Sequence, residues 1–257
     1  MSPRRSLLIA RQHLRITATD SLPLLALMVM PLALAAFLAP VDRALLASQG
    51  YPAASGADLA VPGMAVMFSL FWMMTAGTAF FREHGWGTWD RLRASPARPA
   101  EIMVGKCLPL LALLLVQMGL VMLVGAAAFG FTVRGSLPAL TLLVVAFGCT
   151  LLAISMALVA ICRTLNQIVV ATNLSAIVLA GLGGSFAPVT LLPSWAQAAA
   201  PISPAYWVMR GMRSVVLDGG GFADVWVPIT VLCSFAAAAV ALTAARFRFG
   251  EVKVADT

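Results

Sequence analysis

Residues 62–81 read PGMAVMFSLFWMMTAGTAFF, and residues 82–96 follow as REHGWGTWDRLRASP. Twenty uncharged, mostly apolar residues are enough, at helical rise, to cross a hydrocarbon core about 30 Å thick. The next fifteen hold five charged residues and two tryptophans. A membrane-length run that breaks into a charged, aromatic loop decides the fold class. It also marks the loop as the place where a partner is expected to grip.

Working outward, five more apolar runs occur at about 21–39, 107–129, 137–161, 167–187 and 225–245, giving six predicted spans. Pro31 interrupts the first, and a proline there kinks a membrane helix more readily than it ends it. Only 11% of the 257 residues are charged and 61% are hydrophobic, whereas soluble domains carry about 25% charged residues. The expected fold is therefore an all-α membrane protein forming one transmembrane domain over 1–257, and a soluble enzyme is excluded. The net charge of +7 lies between the apolar runs and not on one face of a domain, so nucleic acid is not an expected partner. Cys107, Cys149, Cys162 and Cys233 lie within or at the ends of apolar runs without a CxxC pair, favouring neither a metal site nor a disulfide framework.

Thirteen of the seventeen Lys and Arg fall in 1–20, in 82–106, at Arg163 and in the C-terminal tail. Only Arg43, Arg134, Arg210 and Arg213 fall in the alternate connections. By the positive-inside rule both termini are expected in the cytoplasm, as six spans require. The apolar run at 21–39 is too long for a signal-peptide core, so a retained helix is expected. Residues 1–20 read as a basic helix with Arg4, Arg11 and Arg15 on one stripe, either lying at the headgroup surface or serving as a plain positive-inside flank.

Within the cytosolic loop 82–106, Thr88 suits a helix N-cap, Asp90 the positive end of that helix, and Pro96 discourages continuation past Ser95. Trp89 and Leu92 share a ridge of this two-turn helix. It is either an interfacial helix held by its tryptophan and arginines or a docking element. The second informative segment, 188–224, joins spans five and six. Its apolar pieces 194–200 and 205–217 are separated by Pro201 and Pro204 and are too short to span. They are expected either to dip into the outer leaflet, packed on protein, or to rest on its surface.

At these two segments the sequence resembles the permease subunits of type-2 ATP-binding-cassette exporters, including bacterial drug-resistance exporters. The first block is Glu83, Gly87-Thr88, Trp89–Ala94, Ser95-Pro96 and Gly105-Lys106; the second is Gly183-Gly184, Pro188, Leu192-Pro193, Trp195, Pro204 and Trp207. The resemblance implies a permease that dimerises, with itself or a similar paralogue, and docks a separate ATPase on a coupling helix. Glu83, Gly87, Thr88, Trp89, Leu92, Ser95 and Pro96 would form or support that contact. Gly183, Gly184, Pro188, Pro193, Trp195, Pro204 and Trp207 would form an exofacial gate, and Phe71, Thr75 and Asn173 are the candidate pathway residues. ATP and Mg would be bound by the partner and no cofactor by this chain.

No GxxxxGK[ST] loop occurs; Gly105-Lys106-Cys107 lacks the upstream glycine and the hydroxyl that hold phosphate and magnesium. No Asp, Glu, Lys or Arg falls in the middle of a predicted span, which disfavours an ion-coupled carrier. His13 and His84 lie near the surface and suit solvated side chains better than catalysis. Gln117, Thr150, Ser155, Thr172, Asn173 and Ser175 are expected to bond helix to helix, with Asn173 also weighed as pathway-lining. The expected function is export of a hydrophobic or amphipathic, drug-like compound across a bacterial inner membrane. Export of a polysaccharide or lipid-linked glycan, an ion-coupled carrier and a non-transporting anchor are the alternatives.

Overall fold

The computed structural model describes residues 21–85 and 99–246, and among them the regular structure is helical throughout. The helices are α1 (Ser21–Ser48), α2 (Ala57–Leu70), α3 (Trp72–Gly85), α4 (Pro99–Phe129), α5 (Leu137–Ile161), α6 (Leu165–Leu182), α7 (Ser194–Ala199), α8 (Pro204–Val216) and α9 (Phe222–Arg246). Six spans long and apolar enough to cross a membrane result: Leu25–Ser48, Ala57–Phe81, Met103–Phe129, Leu137–Ile161, Leu165–Leu182 and Phe222–Arg246. The second is α2 and α3 run together. The N-terminal stretch and the two-turn helix expected at 88–95 lie outside the described residues.

Spans two and four form the centre, with 72% and 67% of their apolar windows buried, against 17–33% for the other four. Without a hydrophobic force between helices in lipid, close packing and polar bonds must hold such a bundle together. Small residues permit the approach: a Cβ added to Gly77 would meet Ile168 Cγ1 at 2.7 Å, and one added to Gly148 would meet Leu111 Cδ1 at 2.8 Å. Spans four and six pack most extensively, and Thr150 Oγ1 donates across that seam to Leu232 O at 2.9 Å.

Span two changes step at its midpoint. Ser69 Oγ donates back to Ala65 O (2.6 Å), and the next turn tightens, with Phe71 N–H donating to Phe68 O at 3.2 Å. A serine bonding back into its own helix bends it, and no proline or glycine is needed here. Immediately after the hitch, three consecutive residues meet three different spans. Trp72 Nε1 donates to Gln117 Oε1 (2.8 Å) and Gln117 Nε2 donates on to Leu27 O (3.1 Å), joining spans two, three and one. Ser155 Oγ of span four donates to Met73 O (2.7 Å), and Asn173 Nδ2 of span five reaches Met74 Sδ at 3.4 Å. The helix-to-helix bonds expected of Gln117, Ser155 and Thr150 are therefore present, while Thr172 bonds its own helix at Ile168 O (2.7 Å).

Several helices run further than the apolar runs. The first span reaches Ser48 where 39 was expected, the second starts at Ala57 and the third at Met103. The extensions take in Asp42, Asp58 and Lys106, and Glu101 lies in the first turn of α4; all four are buried. A hydropathy scan stops at a charge, whereas a helix continues wherever its backbone bonds are satisfied. The fifth span is shorter than expected, ending at Leu182 in a Schellman closure: Ser185 N–H donates to Ala180 O (3.1 Å) and Gly184 N–H to Gly181 O (3.3 Å). Gly184 has φ +79°, a conformation that disfavours any Cβ.

Removing the Gln117 amide strands the Trp72 indole N–H inside the bundle, a loss of about 1–3 kcal/mol. Gln117→Leu is expected to unfold at lower SDS fraction in mixed-micelle titration than the wild type, and by more than Thr150→Val, whose single seam bond is worth about 0.6 kcal/mol. Equal midpoints for wild type and Gln117→Leu would remove this bond from the stability account.

Candidate functional site

The two ends of the bundle differ. At the end reached by α3 and α4, the ammonium of Lys106 stands 4.4 Å from the Phe80 ring centroid, and both side chains are buried. A desolvated cation over an aromatic face is worth about 2 kcal/mol. It holds the two stems of the 82–106 loop together. Glu83 is on the last turn of α3, and Gly87, Thr88, Trp89, Leu92, Ser95 and Pro96 lie outside the described residues.

Nearby, Arg163 precedes a capped helix start. Thr164 Oγ1 accepts from Gln167 N (3.2 Å), and Gln167 Oε1 accepts from Arg163 N (2.9 Å). This is the reciprocal logic of a capping box displaced by one residue.

In mid-bundle, Phe71 stands at the hitch of span two and Thr75 one turn after it, both half-buried, and Asn173 meets that span at Met74, between them. Phe71 packs on Phe68 with ring centroids 5.9 Å apart. The structure thus gathers the three candidate pathway residues at one level of the bundle, with Asn173 bonded across the helix seam.

The opposite end is built from the connections 49–56, 130–136 and 183–221. Asp58, 3% exposed, is its hub: Oδ1 accepts from Thr132 N (2.9 Å), Oδ2 accepts from Ser55 N (3.1 Å), and Arg134 Nη2 stands 3.7 Å from Oδ2. Arg134 Nη1 donates in turn to Leu217 O (3.3 Å). Backbone bonds Gly135 N→Val215 O (2.9 Å) and Ser136 N→Gly220 O (3.1 Å) complete the seam.

The two short pieces expected between spans five and six are the helices α7 and α8, joined by a 3-10 turn at Ala200–Ile202. Pro193 and Pro204 stand at their starts, the latter behind Ser203, whose Oγ accepts from Ala205 N (3.2 Å) and donates to Leu179 O (2.7 Å). The face of α8 carrying Val208, Met212, Val215 and Val216 is buried, and the helix packs on α2, α5, α6 and α9. Between α8 and the 183–190 turn lies a cleft of about 350 Å³, lined by Gly183, Gly184 and Pro188 together with Tyr206, Arg210 and Arg213. Trp207 stands beside it, its Nε1 donating to Pro201 O (2.9 Å), while Trp195 is 70% exposed and belongs to the outer surface.

Of the expected gate residues the structure thus brings three into one cleft. It adds two arginines that sequence reading counts only as orientation charges. Tyr206, Arg210 and Arg213 stand at i, i+4 and i+7 on an amphipathic helix, a stripe that their spacing in the sequence already displays.

Residues 5–217 match the ABC-2 type transporter family. The chain is a member of that family. It is 28% identical over 175 residues to the linearmycin resistance permease protein LnrN of Bacillus subtilis, covering 68% of this chain and 45% of that protein. It is 25% identical over 189 residues to the probable multidrug ABC transporter permease YbhR of Escherichia coli (73% and 51% covered). The inner membrane transport permease YhhJ of Escherichia coli is 27% identical over 200 residues (77% and 52% covered). This ABC-2 permease thus spans about half the length of the curated relatives it matches. With its six apolar helices it is a multi-pass membrane protein.

At the cleft end, Tyr51 OH donates to Asp218 Oδ1 at 2.6 Å, and Arg213 Nη2 donates to Gln49 Oε1 at 2.6 Å. The bond to the Asp218 carboxylate is the main reason the Tyr51 phenol is pushed above its ordinary value of 10.0, with burial and the Asp218 charge adding to it. The neutral phenol is the form the fold favours. Its contribution is whole below about pH 10 and is lost as pH rises through the elevated native value. The chain has only two tyrosines, so a change at Tyr51 is a large part of the phenolate absorbance. Tyr51 is expected to ionise late in the wild type and to move down in Asp218→Asn. An unchanged titration curve in that variant would deny the bond.

Proposed function

We propose that this ABC-2 permease is the membrane-spanning subunit of an ATP-driven exporter that moves a hydrophobic or amphipathic, drug-like compound out of a bacterial cytoplasm. The observation that carries the reading is the family match over 5–217 in a chain whose sequence has no phosphate-binding loop. Hydrolysis then belongs to a separate ATPase, which holds ATP and Mg. The names of the relatives, a linearmycin resistance permease and a probable multidrug permease, support the cargo class and the outward direction. That of the inner membrane transport permease supports the inner membrane as its location.

In this reading both termini and the 82–106 loop face the cytoplasm, as the Lys and Arg distribution favours, and the cleft end faces out. The ATPase grips the 82–106 loop at Glu83, Gly87, Thr88, Trp89, Leu92, Ser95 and Pro96, and the stems joined by Lys106 and Phe80 carry its motion into spans two and three. Spans one, five and six, only 17–22% buried within the chain, leave broad faces for lipid and for a second permease copy. Phe71, Thr75 and Asn173 line the path of the cargo, and the helices between spans five and six cap its exit. The buried charges Asp42, Asp58, Glu101 and Lys106 sit toward helix ends and do not form a mid-span relay of the sort an ion-coupled carrier needs.

The decisive experiment is purification of the chain from native membranes in mild detergent. A P-loop ATPase is expected to co-purify in stoichiometric amount, and Leu92→Ala or Gly87→Pro is expected to reduce its recovery several-fold while the six-span fold persists. A stable complex indifferent to both substitutions, with export unchanged in cells, would sink the coupling assignment.

A further inference from the structure

The stripe Tyr206, Arg210, Arg213 has a chemistry that the transport reading leaves unused. Arg210 is exposed, with its guanidinium 5.7 Å from the Trp207 ring centroid and no carboxylate within ion-pair distance among the described residues. Arg213 is half-buried and oriented by Gln49 and by the Tyr51 ring, 5.7 Å from its guanidinium carbon. The neighbouring carboxylate, Asp218, accepts from the Tyr51 hydroxyl and, among the described residues, makes no ion pair with either arginine. Two cations therefore face one cleft of about 350 Å³ whose other walls are apolar at Leu59, Pro188, Val189 and Met209. That volume is in the range of small-molecule sites, and a few placed polar groups over an apolar floor is their usual composition.

The wall opposite α8 is held in shape by Gln197, whose Nε2 donates to Leu192 O (2.8 Å) and Thr190 O (3.3 Å). The position in the fold narrows the ligand further. Gly183 directly follows the last turn of span five, and Leu59 is in the first turn of span two, so the cleft sits at the depth where hydrocarbon gives way to headgroups. Next to it Phe186 exposes apolar surface, sharing a small neighbouring cavity with Leu59, Gly184 and Pro188, and at the same end of the bundle Trp195 is exposed, a side chain that favours that boundary. Guanidinium groups match the oxygens of phosphate in a two-pronged geometry, and at this depth the tail of a lipid has apolar surface to lie on.

We propose that the Arg210–Arg213 cleft binds the phosphate group of an anionic amphiphile, with the ester's apolar part resting on the apolar wall at Leu59, Pro188 and Val189 and on the exposed Phe186 beside it. A membrane phospholipid and a soluble phosphate ester share the chemistry the arginines recognise. The site exists without transport or the ATPase, so its test is a binding test.

The full chain in a neutral detergent is titrated with phosphatidylglycerol, phosphatidylcholine and glycerol phosphate, and bound adducts are counted by native mass spectrometry. Wild type is expected to retain phosphatidylglycerol over phosphatidylcholine, and Arg210→Gln to weaken that retention about tenfold, as loss of a charge-assisted pair implies. Arg210 makes no buried bond, so this variant keeps the fold; Arg213→Gln is read beside it with thermal unfolding as a check. Arg43→Gln, which changes an exposed arginine in the last turns of α1 and outside the cleft lining, is expected to bind as wild type does. Displacement of the lipid by millimolar glycerol phosphate would identify the soluble ester as a competent ligand. Displacement only by another phospholipid would identify the membrane as the source. Undiminished phosphatidylglycerol binding in Arg210→Gln, or the same loss in Arg43→Gln, would overturn the site.

Discussion

Trp72, Met73 and Met74 are the point on which the bundle depends. Spans one, three, four and five all reach span two at this one level, through Gln117 and Leu27, Ser155 and Asn173. Apolar side chains alone do not choose between neighbouring helices and lipid tails, because both are hydrocarbon. A polar group placed mid-span does choose, since it finds its partner at one rotation and one height. Each such bond is worth only about 0.6 kcal/mol, yet together they fix register for four spans. Successive residues of a helix point about 100° apart, which is why Trp72, Met73 and Met74 meet three different neighbours.

The cleft end follows from a different constraint. A helix of thirteen residues cannot cross the membrane, so α8 has to satisfy its ends and bury its apolar face within the protein. Ser203 caps its start, Leu217 N–H closes its last turn on Arg213 O (2.9 Å), and Gly211 allows α8 to lie against Leu143. Asp58 then stitches the start of span two to the connection before span four, and Arg134 carries the stitch on to the carbonyl at the end of α8. The arginines of α8 face the cleft because its opposite stripe is committed to the core.

Much of this is legible in the sequence because hydropathy reads lipid solubility directly. Six spans, the two short helices near 194–199 and 204–216, and the bonding roles of Gln117, Thr150 and Ser155 all follow from pattern and polarity. The helix ends do not. Asp42, Asp58 and Lys106 look like loop residues on a hydropathy scale, and only tertiary structure supplies the burial that draws them into helices. Arg210 and Arg213 escape a charge count for a related reason. Counting charges per connection discards the spacing that puts both beside Tyr206. The hitch at Phe71 has a signal only in Ser69, and a serine in an apolar run has several possible bonding partners.

These two sets of bonds place span two between the ends of the protein. Its first turn carries Asp58 and Leu59 at the cleft end, and its last carries Phe80 beside Lys106 at the other. The ladder of backbone bonds tightens only around Phe71, and the helix-to-helix bonds follow directly at Trp72–Met74. A displacement of α3 along its axis therefore meets two kinds of resistance. Either the bonds to Gln117, Ser155 and Asn173 break, or spans three, four and five move with it. A rotation of α2 about Phe71 leaves those three bonds in place, but it must repack the buried faces of α2 on spans one, three and five and on α8, and shift Asp58 against Thr132 and Arg134. The half of span two before the hitch is held by close packing on spans one, three and five and on α8, every residue of α2 but Met67 being buried, and the half after it is held in addition by these polar bonds.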